Sequence, residues 1–81
     1  MTAPRATYEV DGSAIRKRRM ALGMQIADLA RNAGITRSYV SRLETGVRRQ
    51  VRPPTYKALR TTLGVDTADD QLLAKREPNT E

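Results

Sequence analysis

The sequence predicts an all-α domain, a compact bundle of five short helices with no strands. Three observations carry that prediction. Apolar residues recur at i, i+3, i+4 and i+7 within segments of about ten residues. No apolar–polar alternation runs beyond four residues. Each periodic segment is bracketed by a capping residue or proline at its start, or by a glycine at its end.

Residues 1–11 carry Pro4, small polar side chains and no periodicity, and read as a flexible N-terminal arm bearing Arg5. The domain is expected over 12–76, with a frayed tail at 77–81. Its first helix starts at Ser13, an N-cap after Asp11-Gly12, and stops at Gly23, with Ile15, Arg19 and Leu22 along one face. The second occupies about Gln25–Ala33, turns Ile26, Leu29, Ala30 and Ala33 inward, and ends at Gly34. Thr36 caps the third, which directs Val40 and Leu43 inward and ends at Gly46. The stretch VRRQVRPP (47–54) reads as a loop. Pro54 suits the opening of a fourth helix through Leu63, with Tyr56, Leu59 and Leu63 aligned. Thr67 is expected to cap a fifth through about Lys75, with Leu72 and Leu73 divided between the core and a dimer surface.

Composition excludes several function classes. The 81 residues contain no Cys and no His, so disulfides, zinc fingers and imidazole-assisted nucleophiles are absent, and no catalytic site is expected. There is no phosphate-cradling glycine loop, no metal-ligand set calling for a cofactor, and no apolar run of membrane-spanning length. The net charge of +6 is unevenly placed. Residues 12–63 hold twelve basic and two acidic residues, a local +10, whereas the flanks hold three basic and seven acidic, or −4. A cationic block of this density suits a polyanion, although a solvated arginine-rich surface is the plainer explanation of any basic stretch.

Residues 26–45 read as helix, short turn with Gly34, helix, the layout of a DNA-binding helix-turn-helix. Ala30 is small where two helix backbones must approach, Gly34 tolerates positive φ, and Leu29, Ala33, Ile35, Val40 and Leu43 provide the shared apolar core. With Val40 and Leu43 inward, Arg37, Ser38, Ser41 and Arg42 share the opposite face of the third helix (36–45). The forked guanidinium groups of Arg37 and Arg42 match guanine O6 and N7, while the short serines let the helix sit deep in a groove. Phosphate contact is the other reading for the two arginines, and the serines suit bases and phosphates alike. Thr36 caps the helix and leaves free N–H groups for a phosphate. Tyr39 either packs beside Leu43 or reaches the DNA backbone with its phenol.

The segment Ile15–Val65 resembles the Cro/C1-type (XRE) helix-turn-helix family of bacterial and phage regulators. The likeness rests on Arg19, Leu22-Gly23, DLARNAGITRSYVSRLETG (28–46) and TYKALRTTLGV (55–65), and spans about 50 of the 81 residues. It implies a Cro/C1-repressor-like five-helix domain whose third helix enters the major groove of double-stranded DNA. It further implies a homodimer on a palindromic operator, backbone contacts from Gln25 and from Arg48, Arg49 and Arg52 in the loop 47–52, and a structural ion pair between Arg19 and Glu44. Two departures stand out. The second helix opens with Gln25-Ile26 where the family places Ser/Thr-Gln, and the loop after Gly46 is longer and richer in arginine.

The expected function is therefore a cytoplasmic, nucleoid-associated, sequence-specific transcriptional regulator, a repressor with no cofactor and no enzymatic activity. Two alternatives come from other classes. One is an antitoxin-like interaction module that holds a protein partner through its C-terminal helix, where Asp66, Asp69 and Asp70 either complement the helix dipole or dock a basic partner. The other is a DNA-bending accessory factor in recombination or plasmid maintenance.

Overall fold

The computed structural model describes residues 7–66 and 69–74. In chain order these form strand β1 (Tyr8–Glu9), helix α1 (Gly12–Ala21), helix α2 (Ile26–Ala33), helix α3 (Arg37–Thr45), strand β2 (Gln50–Val51) and helix α4 (Pro53–Thr62). The helices surround one core in which Ile15, Leu29, Val40, Leu43, Leu59, Leu63 and Leu72 are all fully buried.

Local chemistry sets the helix ends. Asp11 caps α1, its Oδ1 accepting from the N–H groups of Ser13 at 3.0 Å and Ala14 at 3.3 Å. The cap thus sits two residues before Ser13, because the carboxylate is the stronger acceptor. Gly12 begins the helix where its backbone lies against the Leu43 carbonyl, a space that no Cβ fits. Leu22 is the C-cap, no longer helical at φ −89° and ψ 1°, and stands 44% exposed instead of facing inward. Met24 packs on the core in its place. Pro53 and Pro54 occupy the first turn of α4, where a missing N–H costs nothing.

The five-helix, strand-free architecture is corrected in two places. First, β1 pairs antiparallel with β2, Tyr8 opposite Val51 and Glu9 opposite Gln50, so the stretches read as arm and loop form a small sheet. Val10 and Val51 are buried beneath it, and the Tyr8 ring stacks on Tyr56 with centroids 4.8 Å apart. Two-residue strands are too short to show a period, and each partner lies some forty residues away, so neither announces itself locally. Second, residues 69–74 are not helical. Asp69 accepts hydrogen bonds from the backbone and side-chain amides of Gln71, at 3.0 and 2.8 Å, a local turn that competes with helix formation. Leu73 instead bridges to Val10, the Asp11 N–H donates to the Leu72 carbonyl at 2.7 Å, and the Ala74 N–H to Glu9 at 3.0 Å. Leu72 thereby closes the core. Arg5, Thr67, Lys75 and the tail 77–81 lie outside the described residues.

Candidate nucleic-acid interface

The connection between α2 and α3 is made by Gly34, which ends α2 in the left-handed region at φ 73°. The Ile35 N–H returns to the Ala30 carbonyl at 2.9 Å, and Thr36 Oγ1 accepts from the Tyr39 N–H at 3.0 Å to start α3. Ala30 is buried where the two helices meet. Because Val40 and Leu43 are buried to zero exposure, Arg37, Ser38, Ser41 and Arg42 all stand exposed on the outer face of α3.

The attitude of α3 is held from behind. Arg19 donates from Nε to Glu44 Oε2 at 2.6 Å and from Nη2 to Glu44 Oε1 at 3.0 Å, a bidentate pair between α1 and the last turn of α3. A third bond, from Nη1 to the Met24 carbonyl at 2.8 Å, fixes the start of α2 to the same guanidinium. Both side chains are nearly buried, at 11% and 5% exposure. The hydrogen bonds to Glu44 hold the Arg19 pKa above its ordinary value, against the opposing effect of burial.

The loop arginines separate into different environments. The Arg48 N–H donates to the Arg42 carbonyl at 3.0 Å, and its guanidinium lies over the half-buried Tyr39 ring at 4.9 Å from the centroid. Arg48 is therefore brought alongside the outer face of α3. Arg49 turns toward the sheet, with Nη1 at 4.0 Å from Glu9 Oε2 and Nε donating to the Gly46 carbonyl at 3.4 Å. Arg52 is exposed at the N-cap of α4. Gln25, exposed at the N-cap of α2, borders with Arg37, Ser38 and Ser41 a cleft of about 610 Å³.

Three features escape a reading of the sequence. Arg18 caps the end of α4, its Nε donating to the Leu63 carbonyl at 2.8 Å, so one cation of the basic block is structural. The stacking of Arg48 on Tyr39 depends on where the loop returns. The opposite wall of the cleft carries an apolar patch, Met24, Ile26 and Ala27, beside Gln25 and Arg19. The only local trace of that patch is Ile26 standing where the resembled family carries Gln.

The helix-turn-helix family model (HTH_3) matches residues 15–69, more than half of the chain. The chain belongs to this XRE-type family of DNA-binding regulators. Solved XRE-type structures resemble it along most of the described chain. The restriction-modification controller protein C.AhdI from Aeromonas hydrophila is 34% identical with a TM-score of 0.64, over 68% of this chain and 82% of that one. The master regulator for biofilm formation SinR, solved in complex with DNA, is 25% identical with a TM-score of 0.65, over 68% and 87%. The clp gene regulator ClgR from C. glutamicum is 28% identical with a TM-score of 0.62, over 70% and 73%. A comparison with curated proteins found no match.

Proposed function

We propose that this XRE-type regulator is a sequence-specific repressor that binds a palindromic operator as a homodimer. In this reading α3 enters the major groove, Arg37 and Arg42 read guanine edges, and Ser38 and Ser41 line the close approach. Gln25, Thr36, Tyr39, Arg48, Arg49 and Arg52 contact the sugar–phosphate backbone, where each cation displaces a condensed counterion. Repression is steric: two recognition helices about 34 Å apart occupy successive major grooves and cover promoter DNA.

One observation carries the reading. Four polar side chains with the right chemistry stand together on the exposed face of a helix whose other side is locked into the core. They lie within the twelve-cation block of residues 12–63. SinR, which shares this fold, was solved in complex with DNA, and that supports DNA as the partner.

Selection of bound duplexes from a random pool, followed by affinity measurements at two salt concentrations, tests the reading. The expected result is a guanine-containing inverted repeat whose half-site spacing reports the dimer. Affinity should fall steeply with salt, by roughly a thousandfold or more between about 50 and 200 mM if six or more phosphates are contacted. Equal affinity for selected and random duplexes overturns it.

A further inference from the structure

The cleft beside α3 has two unlike walls. On the α3 side stand Arg37, Ser38 and Ser41, and on the other Met24, Ile26 and Ala27 form an apolar patch beside Gln25 and Arg19. Met24 and Ile26 are half-buried, with part of each packed on the core and part left facing the cleft. A phosphate does not suit the apolar part of this wall, and Gln25 has only its side-chain amide for a contact with the DNA backbone. The N–H of Gln25, at the start of α2, is already taken by Asp28 Oδ2 at 3.0 Å, which puts a carboxylate where an anion would otherwise be held. Arg37 on the α3 side draws DNA toward the cleft, while Met24, Ile26 and Ala27 present a patch of hydrocarbon beside Gln25 on the α2 side. On base edges in the major groove, the one apolar group is the C5-methyl of a pyrimidine.

We propose that Ile26, flanked by Met24 and Ala27, is a specificity-determining residue that reads one pyrimidine C5-methyl group per half-site. The inference rests on α3 being the base-reading element. It assigns Ile26 a direct contact with the base edge next to the one read by Arg37 and Ser38. The same chemistry is presented by thymine and by 5-methylcytosine.

The test uses the full chain and duplexes selected from two random pools, one unmodified and one made with 5-methylcytosine. Each thymidine of the half-site is replaced in turn by deoxyuridine, and each 5-methylcytosine by cytosine, so that only a methyl group is lost. One position should weaken binding by roughly fourfold, the factor for one buried methyl. The same replacement should have no effect on Ile26→Ala. A response at a thymidine identifies thymine as the source, and one at a modified cytosine identifies 5-methylcytosine. If no position responds while selected duplexes still outbind random ones, the inference is overturned and base reading by α3 stands. If selected duplexes bind no better than random ones, the reading on which it rests fails and takes the inference with it. An undiminished methyl effect in Ile26→Ala removes Ile26 from the contact. Circular dichroism checks that the variant folds, and Ile26→Val, one methylene smaller, makes the same comparison if it does not.

Discussion

Arg19 stands at a core position along α1, and its charge is tolerable there only because Glu44 and the Met24 carbonyl take three of its N–H groups. Removing the carboxylate leaves a guanidinium nearly buried with only the Met24 carbonyl of its three bonds. Glu44→Ala should therefore cost about 3 kcal/mol in urea unfolding, with much of that loss recovered in the Arg19→Met/Glu44→Leu pair. A neutral single substitution would show that the pair does not hold α3. Tyr56 provides a pH dependence. Burial, the largest influence on it, raises its pKa above the ordinary tyrosine value, in part offset by Arg60. A raised folded pKa favours the protonated phenol, so its contribution is complete below the unfolded value and declines as pH rises through it. Melting temperature should drop above about pH 10, and Tyr56→Phe should flatten that part of the profile. An equal drop in both proteins would place the alkaline sensitivity elsewhere.

The helices α1 to α4 were legible in the sequence because each sets its inward side chains at helical spacing over eight to ten residues, Arg19 among them in α1, and carries its own terminal signals. The sheet was not, since β1 and β2 have two residues apiece and gain stability only when brought together by the fold. The C-terminal segment illustrates the opposite failure. Its threonine, acidic residues and leucine pair satisfy a helix template, yet the Asp69–Gln71 turn and the bridge to Val10 satisfy its backbone differently. At the candidate site, the four outward residues of α3 follow from where Val40 and Leu43 must point. The Arg48–Tyr39 stack and the apolar patch of the cleft depend on contacts between elements, for which spacing carries no signal. The contact of α1 with α3 has its own test. A Cβ at position 12 collides with the Leu43 carbonyl, so Gly12→Ala must separate the two helices, at a cost of about 1–3 kcal/mol in thermal or urea unfolding. Unchanged stability would mean that the helices do not pack this closely.

Across the whole molecule, charge divides into cations that shape the fold and cations left facing solvent. Arg18 and Arg19 are spent on helix ends and on Glu44, whereas Arg37, Arg42, Arg48 and Arg52 are exposed. The local +10 of residues 12–63 therefore overstates the charge available to a nucleic acid, since Arg18 and Arg19 are engaged within the fold. Arg49, drawn toward Glu9, is expected to contribute less to the salt slope than Arg48 or Arg52. Comparison of Arg49→Ala with Arg52→Ala in binding at several salt concentrations checks this, and equal slopes would contradict it. The central claim is that α3 reads bases while the loop holds phosphates. Its most direct test is the affinity ratio between selected and random duplexes for Arg37→Ala/Arg42→Ala and for Arg48→Ala. The α3 variant should lose discrimination by at least about tenfold, since each forked guanine pair is worth roughly 1–3 kcal/mol. Arg48→Ala should weaken both duplexes alike, keep the ratio, and lower the salt slope by about 1. An unchanged ratio in the α3 double variant would contradict the account.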